Sequence, residues 1–154
     1  VALIAVGGTG LAAAVWYVQR TYTVTNGLIT LDVEITHAIV GLPYTGRWKS
    51  AKLGLQTSEI NTTLTQEKRI SHVGLVMAYV HAKGLKYGPD FDNLNDLPEI
   101  EQGTDVDPDE VRAAYDESEI EFPGVWLTDL RLCLEAQAPR PVTVLAAVPD
   151  LEIP

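Results

Sequence analysis

The chain has 154 residues, 46% of them hydrophobic, and a formal net charge of −10. That size fits one domain with a real core, and the apolar content excludes a disordered tail. The acidic balance excludes a general nucleic-acid binder, since holding phosphate takes clustered Lys and Arg. A single cysteine, Cys133, excludes an intrachain disulfide.

The chain begins at Val1 rather than Met, which fits a fragment or a processed product. Val1 to Val18 carries no charge. A membrane helix there is barely long enough at ~18 residues, with Gly7, Gly8 and Gly10 in its middle. A signal peptide lacks its basic start. Gly8-Thr9-Gly10-Leu11-Ala12-Ala13 matches the glycine pattern of a dinucleotide-binding turn, but no strand–helix–strand unit follows. The reading that fits best is two buried strands, Ala2–Val6 and Ala12–Arg20, joined by a Gly-rich turn, with no membrane anchor.

Tyr22 to Leu31 holds the clearest local signal. Asn26-Gly27 supplies the positive φ angles of a tight hairpin turn between apolar flanks. Asp32 to Val40 continues as strand, Gly41 to Gly46 turns, and Arg47 to Leu55 follows. Gln56 to Gln66 is polar and Thr-rich, a solvated loop or an edge strand. Asn61-Thr62-Thr63 is a formal glycosylation sequon, with little meaning without a secretory signal.

Lys68 to Pro89 is the organising stretch. Val73, Leu75, Met77 and Tyr79 alternate onto one side of an extended strand; Ile70, Gly74, Val76, Ala78 and Val80 take the other. Apolar on both sides, it predicts a strand between two layers. From Arg69 to Ala82 it would reach roughly 40 Å, long enough to bend at Gly74. A helix is the rival, because Ile70, Val73, Met77 and Val80 also fit helical spacing.

Asp90 to Asp107 is acidic and turn-rich. Asp107-Pro108-Asp109-Glu110 has the marks of a helix start and predicts one short helix near 108–117, with Val111, Ala114 and Tyr115 on one face. Ile120 to Trp126 returns to strand. Leu130, Leu132 and Leu134 alternate with Arg131, Cys133 and Glu135, and Val142 to Val148 suits a buried strand. Many strands with at most one short helix predict a single all-β domain over 1–154, built as a sandwich or barrel of antiparallel sheets.

Chemistry is scarce. His72 and His81 are nine apart, an odd spacing that opposes them on a strand; with His37 they suit structural or solvent roles. Cys133 lacks a nucleophile's partners and suits the core. Asp105 to Asp109 alternates carboxylates like a calcium loop but has Glu110 where such loops need glycine. Glu119 and Glu121 form a carboxylate pair of a kind expected by chance in an acidic chain. Trp16, Trp48 and Trp126 suit core or interface anchoring. No catalytic, cofactor-binding or metal site is predicted.

Several blocks, taken in order, resemble a known family. They are Thr23–Leu31, Ile39–Arg47, Lys68–Val73, Gly84–Pro89, Phe122–Trp126, Arg131–Leu134 and Pro139–Pro149. Together they resemble the C-terminal part of the tail nozzle proteins of short-tailed phages, also called tail tubular protein B, over roughly 21–152. Family chains are much longer, and the acidic stretch 90–119 departs from their pattern. The resemblance implies a structural virion protein rather than an enzyme. It implies a hexameric ring at the distal end of the tail, below an adaptor ring, with fibres or spikes around it. Genomic DNA would pass through the channel without specific binding. A receptor- or carbohydrate-binding tail module is the alternative; a nucleotide-binding enzyme using Gly8 to Ala13 is a more distant one.

Overall fold

The computed structural model describes residues 2–6, 17–32, 37–55, 62–105 and 110–154. Among these, regular structure is antiparallel β-strand throughout, apart from one 3-10 turn at Thr63–Thr65. The fold is all-β.

The first three strands form their own sheet. β1 (Ala2–Val6) pairs with β2 (Tyr17–Thr21) on one side and β3 (His37–Gly41) on the other. β1 and β2 run antiparallel, with Val6 opposite Tyr17. A dinucleotide fold needs parallel strands joined by a helix. The Gly-rich residues expected to turn between β1 and β2 lie outside the described residues, as do Trp16 and the sequon's Asn61. Beyond β2, Asn26 and Gly27 adopt φ values of 51° and 76°. Thr25 and Leu28 exchange both backbone hydrogen bonds at 3.0 Å. This is the tight turn that Asn-Gly predicts.

The remaining strands make two layers. β5 (Arg69–His81) is the middle strand of one, between β10 (Val111–Glu121) and β12 (Thr143–Glu152). The other runs β4 (Tyr44–Lys49), β11 (Cys133–Ala138), β6 (Leu85–Gly88) and β7 (Asn95–Asp96). A small hairpin of β8 (Ile100–Glu101) and β9 (Thr104–Asp105) forms its own two-stranded sheet beside β10. The core fills the space between the layers. Ile70, Val73, Leu75, Met77 and Val80 of β5 meet Leu85, Tyr87, Leu130, Leu132 and Leu134. Each such side chain, fully buried, contributes about 1.5–3 kcal/mol.

β5 is the expected strand, ending one residue early, but its two faces differ from the expected parity. Ile70 and Val80 face the core with Val73, Leu75 and Met77, while Tyr79 turns outward. Strict alternation forbids that. The strand breaks it by irregularity: Tyr79 sits at φ 50°, and where the β12 pairing shifts between Pro149 and Leu151, β5 carries the extra residue between Ile70 and Val73. Such bulges add a residue and swap the faces beyond them. The layer is also covered on one side only. Val76 is 36% and Tyr79 66% exposed, so β5 does not lie buried on both faces. Nor does the Val142 to Val148 run: Val144 and Ala147 pack on the core, and Leu145 and Val148 are exposed.

The expected helix near 108–117 is a strand from Val111 onward. β10 pairs with β5 through eight residue pairs, with a register shift between Glu117 and Ile120. The capping residues Asp107 to Asp109 lie outside the described residues. A helix cap is worth about 1 kcal/mol. Burying Tyr115 and Ile120 contributes about 2–3 kcal/mol each, so tertiary pairing outweighs the local signal. The strand expected over Ile120 to Trp126 ends at Glu121. Leu130, Leu132 and Leu134 are buried as their alternation predicts, but Cys133 and Glu135 are buried as well.

Candidate functional site

The two layers do not close on each other at their sides, and each side carries different chemistry. Along β4 and β12 the gap is an apolar trough of about 560 Å³, floored by Leu85, Leu134, Ala136 and Val144 and flanked by Trp48 and Arg47. Along β10, β6 and β7 it is a cleft of about 750 Å³, where Glu117, Glu119, Glu121 and Asp96 surround Tyr87 and Phe122. Glu119 and Glu121 thus share a cleft, which their sequence spacing alone did not reveal. Glu117 is engaged otherwise. Its carboxylate accepts backbone N–H groups from Gln102 at 2.6 Å and Ser118 at 2.9 Å. The Gln102 bond leads in holding its pKa below the usual carboxylate value. Tyr87 donates its hydroxyl to the Glu121 carbonyl at 2.9 Å, bridging the layers.

One end of β5 is anchored by a buried ammonium. Lys68 is fully buried. Its Nζ donates to the carbonyls of Gln66 at 2.9 Å, Thr128 at 3.0 Å and Thr63 at 3.1 Å, with Leu64 at 3.4 Å. Its backbone exchanges hydrogen bonds with Leu127 at 3.0 and 3.1 Å. An unpaired buried charge is costly, and three good acceptors satisfy the three ammonium protons. Two further sites brace the frame. Arg47 of β4 reaches Glu135 of β11 at 2.8 Å and lies 5.0 Å over the Phe91 ring. Burial pushes the Glu135 carboxyl up, but hydrogen bonds from Gln137 and Arg47 and the charge of Arg47 outweigh it, leaving a lowered pKa. Arg69 pairs with Glu152 at 2.6 Å and stacks 5.3 Å from the Trp126 ring.

The residues singled out in the sequence do not converge. His72 is exposed, and His81 is fully buried at the far end of β5. His81 Nδ1 accepts the Lys83 N–H at 3.1 Å. Burial first, then the charges of Arg140 and Lys83, lower its pKa to about 4. The Cys133 thiol is buried and donates to the Pro89 carbonyl at 3.6 Å; burial pushes its pKa up, as suits a core residue. Trp48 and Trp126 are 52% and 40% exposed, so neither is the core anchor that was one expectation for them. The acidic stretch from Asp105 lies largely outside the described residues, and among the described residues no cluster of His, Cys, Asp and Glu could hold a metal. No helix among the described residues is long and apolar enough to cross a membrane.

Neither protein-family models nor curated proteins give a match to this chain.

Proposed function

We propose that the chain is a structural component of a phage tail, part of a nozzle ring whose channel passes genomic DNA during ejection. The observation that carries this reading is where the family-like blocks meet. The block beginning at Lys68 and the block Phe122–Trp126 lie side by side. Gly124 sits so close to Ile70 that a Cβ would stand 2.1 Å from the Ile70 carbonyl oxygen. Arg69 of one block stacks on Trp126 of the other. In the block Gly84–Pro89, a Cβ on Gly88 would stand 2.0 Å from the Asn93 carbonyl oxygen. These are rigid joints of a two-layer frame, and rigidity is what a tube wall needs. The net charge of −10 suits a conduit that DNA slides past, with acids facing the lumen.

Electron microscopy and mass photometry of the purified protein test the reading. The expected result is closed rings of one subunit number with an acid-lined channel. Particles that stay monomeric at high concentration, or rings with a basic lumen, overturn it. Exposed Trp48 beside an open trough favours one second reading, a carbohydrate-binding tail module. Saturable binding on a glycan array that Trp48→Ala abolishes would select it.

A further inference from the structure

At Asp116 the outer edge of β10 is occupied by side chains where a strand would otherwise sit. β10 is the outer strand of its layer, paired on one side with β5. In a strand, the N–H and C=O of one residue point to the same side. Asp116 turns both away from β5. Its N–H donates to the Glu101 carboxylate at 2.7 Å, and its carbonyl accepts the Gln102 side-chain amide at 3.0 Å. The Glu101 carboxylate also pairs with Arg112 of β10 at 2.5 Å. One acceptor and one donor from the β8–β9 hairpin thus replace what a neighbouring strand would offer. The hairpin tip supports this reading. Gln102 takes φ 47° before Gly103 at φ 78°, a turn that Asn or Gly fills with less strain. The position holds a residue that is poor for the turn but long enough to reach β10.

We propose that the β8–β9 hairpin is a clamp on a strand-addition surface, and that the partner of the uncovered β10 edge is β4 of a second copy. Charge selects β4. The uncovered edge is acidic through Asp116, Glu117 and Glu119. β4 is also an outer strand, exposed except at Gly46, and carries the exposed Lys49 beside Arg47, which Glu135 of β11 already holds. Opposite charges across paired strands attract, and like charges repel, which disfavours β10 pairing with itself. An open strand edge is a template for another chain.

The test compares the parent protein with the double variant Glu101→Ala/Gln102→Ala, using amide exchange at Asp116 and sedimentation velocity over a concentration series. The clamp predicts at least tenfold faster exchange at Asp116 and concentration-dependent association beyond the parent's. Glu101→Gln keeps a carbonyl acceptor and should leave both unchanged. Adding Lys49→Glu to the double variant should abolish the extra association. Unchanged exchange overturns the clamp. Faster exchange without added association overturns the strand-addition surface. Association that survives Lys49→Glu overturns β4 as its partner. Each readout is a difference from the parent, so it holds whether or not the parent forms rings.

Discussion

Replacing Lys68 with Met keeps the length and the buried stem but removes the ammonium. Three backbone carbonyls, those of Gln66, Thr128 and Thr63, then lose a charged donor held at 2.9–3.1 Å. Hydrogen bonds to a charged group contribute about 1.5–3 kcal/mol each, and a buried acceptor left unpaired costs about 1–3 kcal/mol. Against this stands the desolvation that the buried ammonium no longer incurs, several kcal/mol by itself. The balance is a loss of about 3–5 kcal/mol, a large share of the 5–15 kcal/mol that holds a typical domain together. Urea unfolding followed by tryptophan fluorescence measures it, at constant m-value. Lys68→Arg should fare little better, because a planar guanidinium does not fit acceptors arranged around a point charge. Amide exchange should localise the damage to Gln66 and Lys68, whose N–H groups bond to Thr63 and Leu127. A loss below about 1 kcal/mol for Lys68→Met would refute the assignment of Lys68 as the anchor of this end of β5.

His81 makes the fold sensitive to acid. Its pKa falls from the ordinary 6.5 to about 4 on folding, so its contribution is full above pH 6.5 and is lost as pH falls toward 4. The loss approaches about 3 kcal/mol. His81→Asn keeps an acceptor for the Lys83 N–H and should flatten that part of the stability profile; parallel profiles for parent and variant contradict the argument. Gly124→Ala forces a Cβ against the Ile70 carbonyl and should destabilise by about 1–3 kcal/mol, read as a lower urea midpoint. Tyr79→Gly relieves a left-handed backbone at an exposed position and should be neutral or stabilise by about 1 kcal/mol, whereas Val76→Gly, three residues earlier in the same strand, should destabilise. A destabilised Tyr79→Gly variant would show that the ring, not the backbone, matters there.

Where one stretch of chain carries its own instruction, the sequence was readable. Asn26-Gly27 encodes its turn by φ preference alone, and valine-rich β5 encodes its extent by composition. The features that went unread depend on partners far along the chain. The left-handed backbone at Tyr79 turns its ring out of the alternation, and nothing local marks it. The helix signal before Val111 was genuine but weaker than pairing with β5. Lys68 reads as a solvated charge until Thr128, 60 residues later, supplies a carbonyl. The Glu101 and Gln102 contacts left one trace, a Gln-Gly pair at a turn, which acquires meaning only once β10 lies beside it. Glu119 and Glu121 were visible as a pair, but the cleft around them is made by β6 and β7.

Arg47 and Glu135 are 88 residues apart, and β11 is the strand that β4 pairs with. At a synthesis rate of roughly 5–20 residues per second, β4 leaves the ribosome some 4–18 s before its mate exists. Throughout that interval a nascent segment bearing Tyr44 and Trp48 has no sheet to join. Translation speed between these two strands therefore sets how long chaperones must shelter the emerging polypeptide, and synonymous codon changes there would alter yield without altering a single residue.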